Sequence, residues 1–291
     1  MTTHLIIQAA DIETQDLKTL HGLCGASGIE QIDGAGNFAH QAFRILNADI
    51  AARVNVQRYC EDHQLDFGFV APDASLSQFG LIAMDMDSTL ITIECIDEIA
   101  DYAGKKAEVA AVTEAAMRGE TDWPTSLRQR VAALAGLPES VLTQVYAERL
   151  KLSPGAENLI AAAKRHNIKL LLVSGGFTFF TDKLKTRLGI DYAYSNTIEI
   201  ENGLLTGRVI GPLCDANAKA AHIRNTASLL GLQADQVMAI GDGANDLLMM
   251  HAAGCSVAFR AKPVVRAQAS YALNHVGLDA ILALFPPAQT K

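Results

Sequence analysis

The chain has 291 residues, of which 24 are Lys or Arg and 32 are Asp or Glu, so its formal net charge is −8. Hydrophobic residues make up 49% and charged residues 19%, a balance that supports buried cores and excludes an intrinsically disordered chain. The acidic balance argues against a broad surface for nucleic acid or for an anionic membrane, so an anionic ligand requires locally placed cations or a metal.

Targeting and membrane signals are not apparent in the sequence. No apolar run reaches the roughly 18 residues of a membrane-spanning helix, and the N-terminus lacks the pattern of a secretory signal. The five cysteines are scattered along the chain, which favours reduced thiols over a disulfide framework or a zinc site. We therefore expect a globular, cytoplasmic protein with no membrane segment.

The first part of the chain, residues 1–71, is predicted to form a small α+β domain of the ferredoxin-like type. Residues 4–7 are typical of a strand, and a helical periodicity follows them. A second helix is predicted after Asn47, which we interpret as its cap, and residues 65–69 alternate as in a half-buried strand. Residues 72–78, which are small and turn-forming, are predicted to be a linker.

The remainder, residues 79–291, is predicted to be a doubly wound α/β domain. Short apolar runs typical of central parallel strands alternate with predicted helices and lie at residues 79–84, 169–173, 237–240 and 256–259. Residues from about 95 to 150 contain no convincing strand, so a helical cap insert is expected there. The pair Asn202-Gly203, flanked by alternating residues, predicts a β-hairpin.

Polar residues follow three of the predicted strands. Asp85 and Asp87 follow the first strand, and residues two apart on an extended chain face the same side. Residues 174–176, Ser-Gly-Gly, follow the second strand and provide a hydroxyl and a glycine turn whose backbone N–H groups could hold an oxyanion. Asp242 and Asp246 follow the third. Because ligands of such sheets bind at the carboxyl ends of the strands, we expect these groups to converge.

Converging carboxylates repel one another unless a hard cation lies among them, and oxygen ligands of this kind suit Mg²⁺. A carboxylate nucleophile beside Mg²⁺ and oxyanion donors is typical of phosphoryl transfer through an aspartyl-phosphate. These residue types therefore predict a phosphoryl-transfer site.

The same residues resemble the four motifs of the haloacid-dehalogenase-like phosphohydrolases, in order and at suitable spacing. The four matching segments are residues 85–89, residues 174–176, Lys219 and residues 241–246. The resemblance narrows to the phosphoserine phosphatases of bacteria, whose helical cap is similar to residues 93–100, Met117, Trp123 and residues 126–131. Trp123 stands where that family often has phenylalanine, and the tryptophan keeps an aromatic wall at this position. Related proteins often carry an N-terminal domain of the amino-acid-binding ACT type, which implies a regulatory role for residues 1–71.

The resemblance implies a role for each residue of the reaction centre. Asp85 would attack phosphorus and become the phosphoenzyme, while Asp87 would protonate the departing serine oxygen and then accept a proton from water. Mg²⁺ would be held by Asp85, by the backbone carbonyl of Asp87 and by Asp242.

The resemblance also implies the groups that hold the phosphoryl oxygens: the hydroxyl of Ser174, the amide of Gly175 and Lys219. Asn245 would contact the phosphoryl group or its water, and Asp246 would orient Lys219 or a metal-bound water.

In the cap, the resemblance implies that Arg130 binds the substrate carboxylate, which a guanidinium matches with two hydrogen bonds. Glu94 would bind the ammonium group, and Met117 and Trp123 would wall the closed pocket. Plain structural interpretations stay open: a Glu94–Arg130 salt bridge within the cap, Met117 and Trp123 as helical core, and Lys219 as a solvated surface charge. A solvated helix face is the interpretation for Asp97, Glu98 and Asp101.

The resemblance thus implies a Mg²⁺-dependent phosphatase that hydrolyses O-phospho-L-serine, the last step of serine biosynthesis. One alternative is the same chemistry on another small phosphate ester such as phosphothreonine, or phosphoryl transfer to an alcohol. A cation-pumping ATPase is excluded, since Asp87 stands where such pumps carry threonine and no membrane helices are predicted. A non-catalytic amino-acid sensor is an interpretation for residues 1–71 alone. We expect no nucleic-acid or membrane partner, and a homodimer stays open.

Overall fold

The structure, a computed structural model, describes residues 3–32, 40–117 and 120–287, and for residues 114–117 it describes the backbone alone. The strands are β1 Thr3–Ala9, β2 Gly28–Gln31, β3 Gln41–Ala48, β4 Asp66–Val70, β5 Leu81–Met84, β6 Lys169–Phe177, β7 Tyr192–Glu201, β8 Leu204–Ile210, β9 Val237–Gly241, β10 Cys255–Phe259 and β11 Tyr271–Leu273. The α-helices are α1 Thr14–Leu23, α2 Arg53–Asp62, α3 Cys95–Tyr102, α4 Lys106–Met117, α5 Trp123–Ala132, α6 Ser140–Gln144, α7 Ala156–Arg165, α8 Thr178–Leu188, α9 Ala216–Leu229, α10 Leu247–His251, α11 Pro263–Arg266 and α12 Ile281–Leu284.

The N-terminal part has the element order β1-α1-β2-β3-α2-β4, and its strands lie side by side as β2-β3-β1-β4. All of these strand pairs are antiparallel, which is the ferredoxin-like arrangement that the sequence predicts. Leu5 and Ile7 of β1 pack in a buried cluster with Leu20 of α1 and Val56 of α2, so the two helices cover one face of this sheet.

The predicted helix cap at Asn47 is wrong. Asn47 adopts a positive φ of 54°, and its side-chain amide donates to Ser27 Oγ at 2.7 Å. The carboxylate of Asp49 instead accepts the N–H of Ala51 at 2.9 Å and begins a 3₁₀ turn that leads into α2. Both residue types are good caps, and only the path of the chain after β3 decides between them.

The second part contains the doubly wound sheet, with the strand order β11-β10-β9-β5-β6-β7-β8. All neighbouring pairs are parallel except β7 with β8, which form the predicted hairpin around Asn202-Gly203. Ile82 and Met84 of the central strand β5 face one buried cluster, and Leu81 and Ala83 face the other. The α/β prediction is confirmed. β5 is apolar at every position because both of its faces are covered.

Helices α3 to α6 lie between β5 and β6 in sequence and form the predicted cap. The two segments that join the cap to the sheet run side by side, since Ile91 forms a β-bridge with Leu152. The cap also rests on the β7–β8 hairpin, because Gly136 donates its N–H to the Leu205 carbonyl at 2.8 Å. The two linker segments are thus paired with each other, and the cap is attached to the β7–β8 hairpin.

The N-terminal part shares its sheet with the second part. β4 meets β11 through the antiparallel pair Phe67 and Ala272, so eleven strands form one sheet. Ile6, Val70 and Phe285 belong to one buried cluster, which shows that the sheet face away from α1 and α2 is covered by the C-terminal segment. The division into residues 1–71, 72–78 and 79–291 stays a prediction, and so does the regulatory role of the first part.

Two further expectations can be compared with the described residues. All five cysteines are free and buried, which agrees with reduced thiols. Within residues 3–32, 40–117 and 120–287, no helix combines the length and apolar character needed to cross a membrane.

Asp66 joins the two parts and offers a test of their junction. This buried carboxylate accepts the backbone N–H groups of Asn274 at 2.8 Å, His275 at 2.8 Å and Val276 at 3.1 Å. Asp66→Ala should lower the free energy of unfolding by about 1–3 kcal/mol, because these N–H groups would be buried without an acceptor. Urea denaturation measures the loss. The exposed Asp62 of α2 provides the control Asp62→Ala, and equal stability of the two variants would contradict this account.

Candidate active site

The register of the central strands brings the polar strand ends to one edge. Met84, the last residue of β5, pairs with Leu172 on β6 and with Ile240 on β9. The N–H of Asp85 then donates to the Ile240 carbonyl at 3.0 Å, which continues this register by one residue. Asp242 follows β9 directly, so both carboxylates emerge at the same level of the sheet.

Lys219 lies in the middle of this edge with only 1% of its surface exposed. Its Nζ is 2.9 Å from Asp85 Oδ1 and 2.8 Å from Asp246 Oδ1. Burial lowers the pKa of Lys219, but the Asp246 and Asp85 carboxylates outweigh burial and raise the pKa above its ordinary value. The interpretation of Lys219 as a solvated surface charge is therefore wrong.

Both carboxylate oxygens of Asp246 have protein partners. Oδ1 accepts from Lys219, and Oδ2 accepts the backbone N–H groups of Asp242 at 3.1 Å and Gly243 at 3.0 Å. A Cβ on Gly241 would lie 2.6 Å from the Asp246 Cβ, so this close approach requires glycine. Asp246 thus holds Lys219 and the turn after β9 in place, as the prediction that it orients Lys219 requires.

A cluster of acidic oxygens could hold a metal ion. One carboxylate oxygen each from Asp85, Asp242 and Asp246 lie within 4.8 Å of one another. Burial, then the charge of Asp246, raises the pKa of Asp85 well above its ordinary value against the opposing effect of Lys219, and the same two causes raise the pKa of Asp242 to about 7. With all three carboxylates ionised, one ammonium leaves two negative charges, which a divalent cation would neutralise and which keep the pKa values high in its absence.

The hydrogen bonds around these oxygens show which of them could bind the ion. Asp85 Oδ1 accepts from the Met86 N–H at 2.7 Å and from Lys219, and Asp242 Oδ1 accepts from the Thr89 hydroxyl at 2.9 Å. Among the described residues, the other oxygens of Asp85 and Asp242 have no hydrogen-bond donor. The free oxygen of Asp242 fits a hard cation and that of Asp85 is open to an incoming group, whereas both oxygens of Asp246 are occupied.

Asp87 lies beside Asp85 on the cavity wall. Its Oδ1 accepts the N–H of Cys95 at 3.0 Å, and a Cβ on Gly176 would lie 2.7 Å from its Oδ2. Burial, followed by the charge of Glu94, raises the pKa of the Asp87 carboxyl to about 7. Gly176 thus leaves the space that the Asp87 carboxylate requires, as Gly175 does for Trp123 of the cap.

The Ser-Gly-Gly turn lies under the cap. The Ser174 side chain is fully buried, and its Oγ accepts the N–H of Gly176 at 2.8 Å. A Cβ on Gly175 would lie 2.9 Å from the Trp123 ring, so the first residue of α5 reaches across the site to this turn. Trp123 therefore lines the cavity between cap and sheet as well as packing against the core.

The cavity has a volume of about 480 Å³ and lies between the cap and the carboxyl ends of the strands. The sheet side of its wall includes Asp85, Asp87, Gly175, Asp242 and Asn245. The cap side includes Glu94, Asp97, Trp123 and Arg130. Three predicted site residues, Ser174, Lys219 and Asp246, lie beneath this wall and are buried.

Arg130 is the unusual cation of the cap. Its Nε is buried and has no hydrogen-bond partner among the described residues. Burial lowers the pKa of Arg130, while Asp97, Glu94 and Asp87 raise it. Glu94 accepts from the Ser88 hydroxyl at 2.7 Å, and in the described part of the chain no ion pair joins it to Arg130. The interpretation of these two residues as an ordinary salt bridge is thus not supported.

Sequence reasoning missed Asp97, which it assigned to a solvated helix face. Asp97 is half-buried and lines the cavity, and burial raises its pKa. Glu98 and Asp101 are partly exposed, and both pair with Arg149 at 2.5 Å. The available signal was helical spacing, because Asp97 is three residues after Glu94 and shares its face.

Two other residues remain to be placed: Lys262, which no sequence motif marks, and Met117, whose side chain lies outside the described residues. Lys262 lines the cavity beyond β10, and its N–H donates to the Asp242 carbonyl at 3.3 Å. Met117 ends helix α4, but its side chain lies outside the described residues, so its predicted role stays a prediction.

Comparisons with known sequences agree with this geometry. A family model described as haloacid dehalogenase-like hydrolase matches residues 82–251, which is more than half of the chain. The phosphoserine phosphatase of Albidiferax ferrireducens is 56% identical over 222 residues, which are 75% of this chain and 94% of that protein. That of Haemophilus influenzae is 47% identical over 227 residues, 78% of this chain and 72% of that protein. The chain belongs to the phosphoserine phosphatases of the haloacid dehalogenase-like hydrolase family.

Solved structures of this hydrolase family extend the likeness. A family hydrolase from Salmonella enterica serovar Typhi has a TM-score of 0.88 and 32% identity, and the alignment covers 99% of this chain and all of that one. A probable phosphoserine phosphatase from Vibrio cholerae, in unliganded form, has a TM-score of 0.81 and 37% identity over 97% of this chain and 85% of that one. A second sequence model, described as a domain of unknown function, matches residues 5–56.

A third solved structure matches only part of this chain. A phosphoserine phosphatase solved as a phospho-aspartyl intermediate analogue has a TM-score of 0.67 and 38% identity. The alignment covers 71% of this chain but 99% of that one, so that phosphatase has almost no residues beyond the shared part.

The buried ammonium of Lys219 gives a test of the site's electrostatics. Lys219→Met should lower the free energy of unfolding by about 3–5 kcal/mol when a chelator is present, since Asp85 and Asp246 would remain buried without a counter-charge. Chemical denaturation of the metal-free protein measures this loss. Lys18→Met, at an exposed position of α1, is the control and should leave stability nearly unchanged. A stability loss no larger than the control's would show that Lys219 does not hold the carboxylates.

Proposed function

We propose that this chain hydrolyses O-phospho-L-serine to L-serine and phosphate, depends on Mg²⁺ and reacts through an aspartyl-phosphate on Asp85. The observation that carries the proposal is a cavity with carboxylates at the strand ends on one side and, on the other, Arg130, whose buried Nε has no hydrogen-bond partner among the described residues. The names of the relatives, phosphoserine phosphatases, support the same substrate. The proposed reaction is the last step of serine biosynthesis.

Asp85 is suited to act as the nucleophile because only one of its oxygens is held. Met86 N–H and Lys219 both bind Oδ1, so the second oxygen is available to attack phosphorus. In the proposed step, a bond forms between this oxygen and phosphorus while the bond between phosphorus and the serine oxygen breaks. Asp87 gives its proton to the departing serine oxygen.

The second step releases phosphate and restores the enzyme. Water attacks phosphorus of the aspartyl-phosphate and gives a proton to Asp87, and the bond between phosphorus and the Asp85 oxygen breaks. Asp87 can serve both steps because Oδ1 is anchored on the Cys95 N–H while Oδ2 lies beside the Ser-Gly-Gly turn.

The groups that we propose for the phosphoryl oxygens are Ser174, the Gly175 N–H, Lys219 and Asn245. The Ser174 oxygen accepts from Gly176, which leaves its hydroxyl hydrogen to donate to a phosphoryl oxygen. Gly175 and Asn245 line the cavity, and the Lys219 ammonium lies directly beneath it. Such preorganised donors stabilise charge where it develops in the transition state.

The acidic cluster fits Mg²⁺, which prefers carboxylate and carbonyl oxygens. We propose that Asp85, the backbone carbonyl of Asp87 and Asp242 hold it, and the free oxygen of Asp242 supports this choice. When bound, the ion neutralises charge between the nucleophile and the phosphoryl group. Asp246 has no free oxygen and is proposed to act through Lys219 and the backbone N–H groups it accepts.

The cap side of the cavity supports an amino-acid head group. The unpaired Nε of Arg130 offers a donor to a carboxylate, and Glu94 offers an acceptor to an ammonium group. Trp123 and, by the family resemblance, Met117 would wall the pocket and exclude water. An alternative substrate is another small phosphate ester such as phosphothreonine, whose charged groups are the same.

A phosphate-release panel tests the substrate and the metal together. Phosphoserine, phosphothreonine, a sugar phosphate and p-nitrophenyl phosphate would be compared with added Mg²⁺ and with a chelator. We expect phosphoserine to have the highest kcat/KM and all turnover to require the metal. A higher kcat/KM for a sugar phosphate would contradict the proposed substrate, and full turnover in chelator would contradict the metal.

Asp85→Asn should abolish phosphate release while the fold survives, because an amide of the same size cannot form the acyl-phosphate. The loss is expected to exceed about a thousandfold in kcat, as for removal of a covalent nucleophile. Mass spectrometry should exclude deamidation, and circular dichroism should match the wild type. Appreciable turnover by a pure, folded variant would contradict the covalent mechanism.

Arg130→Ala should reduce kcat/KM for phosphoserine about ten- to a hundredfold, which is the equivalent of one charged hydrogen bond of roughly 1.5–3 kcal/mol. Hydrolysis of p-nitrophenyl phosphate, which has no amino-acid head group, should change much less. Arg128→Ala, at an exposed position of the same helix, is the matched control. Equal losses on the two esters would place Arg130 on the phosphoryl group or in a structural role.

A further inference from the structure

We infer that Asn196, on β7, is a positioning residue for phosphoryl transfer: its side-chain amide joins the Ser-Gly-Gly turn to the segment that leads into α9. The inference rests on the proposed phosphoryl-transfer function and extends it to a residue that does not touch the cavity. Asn196 is 1% exposed and does not line the cavity wall.

The need for such a residue arises from an irregularity between β6 and β7. Val173 pairs with Tyr194, but the next pair is Phe177 with Asn196. Three residues of β6, 174–176, therefore lie opposite a single residue of β7, Ser195. Backbone N–H and C=O groups in a bulge of this kind are not hydrogen-bonded to the neighbouring strand, so they need other partners.

The Asn196 amide forms one hydrogen bond with this bulge and a second with the segment before α9. Its Nδ2 donates to the Gly175 carbonyl at 2.7 Å, and its Oδ1 accepts the N–H of Cys214 at 2.8 Å. The orientation of the amide is unambiguous, because a carbonyl only accepts and a backbone N–H only donates. Both hydrogen bonds connect segments distant in sequence.

The first hydrogen bond determines the direction of the next peptide group. A peptide is planar, so holding the Gly175 carbonyl also directs the N–H of Gly176 to the opposite side. That N–H donates to Ser174 Oγ at 2.8 Å. Asn196 therefore controls, through one rigid peptide, how the Ser174 hydroxyl is presented to a phosphoryl oxygen.

The second hydrogen bond reaches the support of Lys219. Cys214 directly precedes Asp215, whose carboxylate accepts the Ala218 N–H at 2.8 Å and caps α9. Lys219 is in the first turns of that helix and binds Asp85. One buried amide thus links the two elements that carry the proposed phosphoryl donors, the Ser174 turn and the Lys219 helix.

The test compares Asn196→Asp and Asn196→Ala with wild type on phosphoserine and on p-nitrophenyl phosphate. Asn196→Asp keeps the size and an acceptor for Cys214 but loses the donor to Gly175. We expect kcat to fall about ten- to a hundredfold on both esters, as when catalytic groups are displaced by about 1 Å. KM for phosphoserine should change less than about threefold, because Arg130 and Glu94 are untouched.

Binding of a transition-state mimic separates positioning from plain stability. The inhibition constant of orthovanadate should rise in proportion to the loss of kcat/KM, while that of inorganic phosphate should change less than about threefold. Ser195→Ala is the control, since Ser195 is adjacent on β7 and contacts Thr181 instead of the turn. It should keep kcat within about twofold of wild type.

The outcomes are distinct. Folded Asn196 variants with wild-type kcat and vanadate inhibition would overturn the inference, as would a loss that appears only in thermal stability. If Asn196→Ala does not fold, the isosteric Asn196→Asp decides alone. Wild type that hydrolyses p-nitrophenyl phosphate but not phosphoserine would overturn the proposed substrate and leave the Asn196 test intact on that ester. Wild type inactive on both esters would overturn both proposals.

Discussion

The arrangement of the polar strand ends depends on one buried ammonium, that of Lys219, between two carboxylates. It binds Asp85 at the end of β5 and Asp246 in the turn after β9, so a helix and two strand ends are held by a single charge. Asp246 in turn accepts two backbone N–H groups of that turn. Because one ammonium cannot balance three carboxylates, the same interaction that assembles the edge leaves it negative and suited to a divalent cation.

The two sides of the cavity supply different kinds of groups. The sheet edge holds groups at the ends of buried strands, where the strand register fixes their relative positions. The cap contributes long side chains on helices, among them Arg130 and Trp123, and rests on the β7–β8 hairpin. Glycines at 175 and 176 permit the approach, because any Cβ there would meet Trp123 or Asp87. Cap and turn are therefore complementary surfaces.

The N-terminal part is built into the molecule by its sheet. β4 continues the central sheet through β11, Asp66 accepts three N–H groups of the segment after β11, and Leu284 packs where Gly68 has no side chain. The face that a ferredoxin-like sheet often leaves open is thus occupied by the chain's own C-terminal segment. A regulatory role for residues 1–71 and a homodimer stay predictions.

The sequence by itself determined the alternation of strands and helices, the Asn-Gly hairpin, the helical cap and the polar strand ends, because each depends on local periodicity or on a short motif. It predicted that Asp85 and Asp242 would meet, since parallel strands place their carboxyl ends at one edge. Only the tertiary structure decided that Lys219 is buried, that Asp97 faces the cavity, and that Asp49 replaces Asn47 as the cap. It alone revealed Asn196, whose two partners are 21 and 18 residues away. A hydrogen bond across a bulge leaves no periodic trace in the sequence, because it depends on how distant segments pack.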